Sequence, residues 1–476
     1  MNTDVLIVGA GPTGLALAVD LARRGVDALV VERSDALFPG SRGKGIQPRT
    51  REVLDDLGVA DAIRAAGGPY PVGMMWRDGQ RQGEHRMFDA TPPSEAAPYT
   101  DPLMVPQWRT QEILFARLTE LGGTVAFGRE LVSLGQDADG VTAAFASGEP
   151  VRARYAVAAD GGRSAVRRAL GIGMTGESVD PFPTLVADVR VSGIDRENWH
   201  FFQSADEGGA PLLALCPLAG TKDFQLVARF PQDTDVDLSP DAIRKLVGER
   251  THLAPDAVTE VRWASDFRPR AALADRFREG RVFLAGDAAH VHSPAGGQGL
   301  NTSIQDAYNL GWKLGAVLRE GAPESLLDTY EEERLPNAAD MLGLSTKVHR
   351  GEVRRGAATQ QLDLGHRGRT LTEETRTGLP GDALHAGDRA PDGRRGGVRL
   401  FDAFRGPHWT LLAVGTDEDL DLPELPGVRT VRIPPYEAYG RGVFLIRPDG
   451  YVGWAGDSAD GLERYAAGVG LCVSAS

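Results

Sequence analysis

The sequence predicts the α/β class: a parallel-sheet unit, a mixed α+β domain set into it, and a small third domain towards the C-terminus. Three observations carry that reading. Residues 4–32 run strand, glycine-rich turn, helix and strand in about thirty residues, the repeating step of a parallel sheet. Between 177 and 270, short apolar runs separated by turns point to an antiparallel sheet. After 378 a fresh set of strand-like segments begins, and 476 residues suffice for two to three domains of about 150 residues each.

Asp4–Val8 reads as a short apolar strand, followed by Gly9-Ala10-Gly11-Pro12-Thr13-Gly14. Leu15–Arg24 has helical spacing with Leu17, Leu21 and the alanines on its apolar side, and Asp27–Val31 is a second strand ending at Glu32. A helix over Thr50–Leu57 puts Val53, Leu54 and Leu57 on one side. Prolines and loop residues from Gly67 to Pro106 break the rhythm, so the chain leaves the first sheet there. Thr110–Leu121 is helical, and Val125–Phe127, Leu131–Leu134, Val141–Phe145 and Arg154–Ala159 are strands, the last running into Asp160-Gly161. Strands at Leu185–Val191, Leu212–Cys216 and Phe224–Phe230, with a helix over Asp241–Glu249, build the second domain. Arg281–Leu284 is an apolar strand before Ala285-Gly286-Asp287, and the long helix Leu300–Leu318 rejoins the first unit. The expected division is 1–70, 106–176 and 271–345 for the interrupted first unit and 71–105 with 177–270 for the second domain. Residues 346–377 form a linker or helical connector, and 378–476 a third domain with strands at Trp409–Val414, Val428–Ile433 and Val443–Ile446.

Composition narrows the function classes. Apolar residues at 42% and charged residues at 25% are globular proportions. A net charge of −14 argues against a general nucleic-acid coat and gives no support for binding an anionic membrane. Cys216 and Cys472 are too few for a disulfide scaffold or a four-thiolate zinc site. No run of eighteen apolar residues is present, and Met1–Gly11 lacks a basic stretch followed by a long apolar one, so the expectation is a soluble, cytoplasmic protein. The basic cluster Lys347, His349, Arg350, Arg354 and Arg355 reads as a solvated linker face rather than a dedicated partner site.

Gly9, Gly11 and Gly14 stand in G-x-G-x-x-G spacing where a strand meets a helix. Gly9 permits the tight turn, Gly11 lets backbone approach a pyrophosphate, and Gly14 permits close helix packing. Glu32, eighteen positions after Gly14, suits a ribose. Together they favour dinucleotide binding over a bare sheet turn. Asp160-Gly161 alone reads more readily as a surface turn. His290 and His292 resemble a metal pair only superficially, because no third ligand stands near them in sequence, and no metal is expected.

Further motifs narrow the reading: Ser41-Arg42-Gly43, Pro106-Gln107, Asp160 through Arg167, Gly286-Asp287-Ala288-Ala289-His290, and Pro294 with Gly296-Gly297-Gln298-Gly299-Leu300-Asn301. With these the chain resembles the class A, single-component FAD-dependent aromatic hydroxylases, in the branch that processes phenols and aromatic polyketides and carries a C-terminal thioredoxin-like domain. The resemblance is weakest through Tyr70–Asp101 and Glu177–Arg270. It implies a Rossmann-like FAD-binding domain, a mixed α+β substrate domain and a thioredoxin-like third domain. It also implies that Gly9, Gly11, Gly14 and Glu32 surround the ADP part of FAD, Arg42 the pyrophosphate, and Gln107 the ribityl chain. Asp160 and Gly161 match a second motif shared by FAD and reduced nicotinamide, Asp287 the pyrophosphate and ribityl region, and Pro294, Gly297, Gly299, Leu300 and Asn301 the loop beside the isoalloxazine. The implied reaction has NADPH or NADH reduce FAD and O2 form a C4a-hydroperoxyflavin, which oxygenates an aromatic small molecule. Arg42 is the one weak candidate for shaping the reactive flavin.

Met74, Trp76, Trp199 and Phe201 are candidate substrate-wall residues, although each type also serves ordinary packing. The third domain has no C-x-x-C, so a structural or oligomer-forming role, as in a homo-oligomer, is the better reading than dithiol exchange. Two alternatives stay open: a Baeyer–Villiger monooxygenase on the same scaffold, and a flavin-binding interaction protein with little turnover.

Overall fold

Val5, Leu6 and Ile7 have no exposed surface and form the centre of the first sheet. Their strand, Asn2–Val8, runs parallel to Ala28–Val31 on one side and Val151–Ala158 on the other. Val282–Leu284 and Val125–Ala126 extend the parallel array at its two ends. A parallel sheet is covered on both faces, which is why these strands are almost continuously apolar. The first helix, Pro12–Arg23, begins with proline at its first turn after an extended Gly11, and it packs against helices Gln107–Glu120 and Gly299–Gly315. The computed structural model describes residues 1–203, 213–417 and 419–471, so Leu212 and Cys472 lie outside it.

The second sheet has seven strands in the order Val258–Phe267, Thr184–Val191, Phe224–Arg229, Leu213–Pro217, Asn198–Gln203, Val72–Arg77 and Gln80–His85. All neighbours are antiparallel except Asn198–Gln203 with Val72–Arg77. The outlying segment after residue 70 thus supplies two strands to the sheet of the middle region. Register places Trp263, Asp188, Gln225, Cys216, Trp199 and Gly73 in one row across the sheet. Val186, Val227, Ala214, Phe201 and Met75 form the next row on the same face. Alternation sends their neighbours to the other face, where Leu185, Phe202, Leu215 and Leu226 pack with Ile243 and Val247 of helix Pro240–Arg250.

After helix Asp328–His349, the connector over 346–377 is mainly a linker rather than helical, with only the short helix Ala357–Gln360 and strand Glu373–Glu374. Glycines at 351, 356, 365 and 368 make a longer helix there unfavourable. The last sheet runs Glu373–Glu374, Val452–Gly456, Gly442–Ile446, Trp409–Val414 and Val428–Ile433. It is joined to the first unit by buried charges. Arg447 pairs with Glu333 at 2.6 Å and Asp449 at 2.6 Å, Lys313 reaches Glu333 at 2.8 Å, and the Trp312 indole donates to Asp449 at 3.0 Å. Among the described residues, no helix is long and apolar enough to cross a membrane.

Candidate functional site

The glycine turn is shaped by close contacts. Gly9 has φ +110°, and a Cβ on it would lie 2.3 Å from the Ala159 carbonyl oxygen. A Cβ on Gly14 would lie 2.0 Å from the Gly9 carbonyl oxygen, whereas one on Gly11 would meet nothing within 4 Å. Two glycines therefore let turn, helix and neighbouring strand touch, and the third leaves the helix N-terminus open to an anion. Glu32 accepts the Ala10 and Ser34 amides, each at 3.0 Å. Each carboxylate oxygen keeps a lone pair for a hydroxyl donor.

Arg42 stacks over Phe38 at 4.9 Å and Trp263 at 5.7 Å. Burial lowers its pKa, Asp287 opposes that, and Arg163 and Arg33 add to the lowering. Arginine stays charged regardless, so three guanidiniums concentrate positive charge here, and that is the field a pyrophosphate would neutralise. Asp287 lies near Arg42 and is exposed as a residue; desolvation by the atoms packed round it raises its pKa, and His290 and Arg42 hold it back. Gln107 accepts the Gly43 amide at 3.0 Å and donates to Gln111 at 3.2 Å, and Gln111 donates to the Phe38 carbonyl at 3.0 Å. That chain braces the loop carrying Arg42.

Asp160 accepts the Ala165 and Val166 amides at 2.7 and 3.2 Å, and Gly161 continues the turn. Pro294–Gly296 is one short turn leading through Gly297 into helix Gly299–Gly315, with Leu300 half-buried in its first turn. Asn301 reaches across to the Gly45–Ile46 strand, so the segments holding Arg42 and Gly297 are joined through one side chain. His292 bonds to His290 at 3.0 Å and His290 to Asp306 at 2.5 Å, where Arg334 adds an ion pair at 2.8 Å. The two histidines are thus occupied with each other and with a carboxylate.

On the sheet facing this unit, Trp199 stacks with Phe201 at 5.2 Å and 25°. Met74 and Trp76 are not there. They are buried on the opposite face with helix Pro240–Arg250, and the Trp76 indole donates to His200 at 3.0 Å. The reason is the two-residue period of a strand: His200 and Phe202 share the core face, and Trp199 and Phe201 the other.

Sequence reasoning missed Lys44, Tyr70, Asp188, Gln225, Asp306 and Arg355. Lys44 donates to Gln225 and lies 4.4 Å over Trp199; Arg355 donates to the Tyr70 hydroxyl, and Tyr70 lies 5.8 Å from Trp199. A signal existed for Asp306, since Asn301, Gln305, Asn309 and Lys313 recur every four residues along this helix with Asp306 beside them. A separate cavity of about 370 Å³ lies behind, between helices Pro48–Asp56 and Leu400–Phe404, and its Arg405 is already paired with Asp55.

The FAD binding domain family matches residues 2–345. The chain belongs to that family. A flavin-dependent monooxygenase of Mycobacteroides abscessus is 44% identical, with 98% of this chain and 99% of the relative covered. A rifampicin monooxygenase of Rhodococcus hoagii is 33% identical, with 97% of each covered. Aklavinone-11 hydroxylase, solved with FAD and aklavinone, has a TM-score of 0.82 at 30% identity, covering 98% of this chain and 99% of that one. This protein is an FAD-dependent monooxygenase. The open helix N-terminus, Glu32 and the positive charge around Arg42 fit that dinucleotide. When bound, FAD supplies the redox and oxygen chemistry; the protein's part is to hold it, orient a substrate beside it and exclude water.

Proposed function

We propose that this monooxygenase hydroxylates an aromatic ring, on a phenol or a polycyclic aromatic polyketide, with electrons from NADPH or NADH and oxygen from O2. The observation carrying that reading is the aromatic wall. Trp199 and Phe201 lie stacked, Tyr70 leans on Trp199, and Phe88 lies 5.3 Å beyond Tyr70, so a planar ligand would meet ring faces. In this reading Gly9, Gly11, Gly14 and Glu32 hold the ADP part, Arg42 the pyrophosphate and Gln107 the ribityl chain. Asp160 and Gly161 serve both FAD and the reduced nicotinamide, Asp287 borders the pyrophosphate and ribityl region, and Pro294 through Asn301 flank the isoalloxazine. The last domain is read as thioredoxin-like in its mixed five-stranded sheet, with a structural task because the chain has no C-x-x-C.

The test has two parts. Cofactor released from purified protein should run as FAD on chromatography at about one per chain; FMN alone would overturn the assignment. Turnover under labelled O2 with phenols and fused-ring aromatics should place one labelled oxygen on a ring carbon. Insertion beside a ketone carbonyl with no ring product would overturn hydroxylation.

A further inference from the structure

We propose that Asp188 and Lys44 handle the proton of a ring hydroxyl on the substrate: Asp188 accepts it, and Lys44 holds the phenolate oxygen that results. This rests on the reading that the substrate is a hydroxylated aromatic. The O–H bond of the substrate breaks, an O–H bond forms on the Asp188 carboxylate, and the electron pair stays on the ring oxygen. Nothing is oxidised or reduced in the step. An ionised ring oxygen pushes electron density onto the ring, which favours attack on an electrophilic oxygen.

The geometry is a set of polar groups in need of a partner. Both Asp188 carboxylate oxygens, the Ser41 hydroxyl and the Trp199 indole nitrogen are buried, and beyond the contact of Ser41 with Asp188 they have no hydrogen-bond partner. Asp188 is 2% exposed. Buried polar atoms are fully paired in the great majority of cases, so several under-satisfied groups near one ammonium mark a place with room for a polar ligand. Lys44 joins them. It comes from the segment between Arg42 and Gln47, stands over the Trp199 ring, and donates to Gln225, whose own nitrogen donates to the Ser41 carbonyl. An ammonium has three donors, so Lys44 retains capacity for an oxygen ligand.

The charged surroundings favour an anion at this point. Lys44 faces Asp188, Cys216 and Arg355; Asp188 faces Ser41, Lys44 and Asp223. Asp223 is committed to Arg190 at 2.9 Å and Arg262 at 2.6 Å. Burial pushes the Cys216 thiol up to about 11, so it stays neutral. Arg355 adds a second positive charge beside Tyr70. Burial raises Asp188 to about 6, with Ser41 and Lys44 holding back part of the rise, which suits a base working near neutral pH.

The probe is 2-hydroxyanthraquinone, whose visible band moves to longer wavelength on ionisation, with its methyl ether as control. Both are titrated into the FAD-loaded full-length protein across pH. The bound hydroxyl should ionise at least roughly one pH unit below its free value, a tenfold preference for phenolate. Lys44→Met should abolish that shift and weaken the hydroxylated probe about tenfold, with the ether unchanged. Asp188→Asn should slow appearance of the bound phenolate band below pH 7 and lose the rise of kcat/KM with pH. Equal binding of probe and ether, binding of neither, or an unchanged ionisation shift in Lys44→Met would overturn the proposal. FAD content and ring hydroxylation are read on the same samples. Phenolate capture without ring hydroxylation would sink the proposed function alone, and hydroxylation without phenolate capture would sink only this inference.

Discussion

Asn301 holds Gln47 in place: its side-chain oxygen accepts the Gln47 amide at 2.7 Å, while its nitrogen donates to the carbonyls of Gly45 at 2.9 Å and Gly297 at 2.8 Å. One side chain thus ties the loop that follows Arg42 to the loop that opens helix Gly299–Gly315. Asn301→Ala would leave a buried amide unpaired and should lower stability by roughly 2–4 kcal/mol. Denaturant unfolding measures this, and FAD retention should fall with it. Asn301→Asp, which aims a buried carboxylate oxygen at the Gly45 and Gly297 carbonyls, should be no more stable than the alanine variant.

Arg42→Ala should weaken FAD retention by about ten- to a hundredfold, because a pyrophosphate loses charge-assisted donors worth roughly 1.5–3 kcal/mol. The fold should be unaffected, since Arg42 is exposed and lies against rings rather than in the core. Equilibrium dialysis of FAD with parallel thermal unfolding separates the two. Unchanged affinity would remove Arg42 from the cofactor site.

Trp76 and Trp199 sit on adjacent strands of one sheet but on opposite faces. Trp76→Ala should cost about 3–5 kcal/mol in unfolding free energy, as core tryptophans do. Trp199→Ala should instead raise KM for an aromatic substrate with a smaller loss of stability. Comparing unfolding midpoints with steady-state kinetics for the two variants checks the assignment of faces.

Asp188 should destabilise the fold in a pH-dependent way. Its folded pKa, about 6, lies above the ordinary 3.8, so the fold disfavours the ionised form. The penalty is absent below the unfolded value, grows between the two values, and is complete above the folded one. A two-unit rise corresponds to about 3 kcal/mol. Asp188→Asn should therefore be more stable than the parent at pH 8 by up to about 3 kcal/mol and should lose that advantage at pH 4. Urea unfolding at the two pH values reads the difference directly.

Glu333 is 1% exposed and holds both Arg447 and Lys313. Glu333→Gln would leave Lys313 without its ion-pair partner and Arg447 with Asp449 alone, and should cost about 3–5 kcal/mol. Calorimetry should show the last domain and the first unit unfolding together in the parent, with the variant separating them into two transitions.

The glycine turn, the parallel strands around it and the family were legible in the sequence because each rests on short-range chemistry. Gly9 and Gly14 are required by backbone contacts a few residues away or at the next strand, and a run such as Val5-Leu6-Ile7 declares its burial in any context. Residue faces in the middle sheet were only half legible. Met74, Trp76, Trp199 and Phe201 are all apolar or aromatic, and strand period separates neighbours within a strand without saying which face meets the cofactor unit. That choice belongs to the tertiary structure, where helix Pro240–Arg250 claims one face of the sheet and the Ser41–Gln47 segment the other. Lys44 and Asp188 lie 144 positions apart in sequence. Neither is unusual by itself, and their meaning comes from burial and proximity, which arise only when the sheet closes over the first unit.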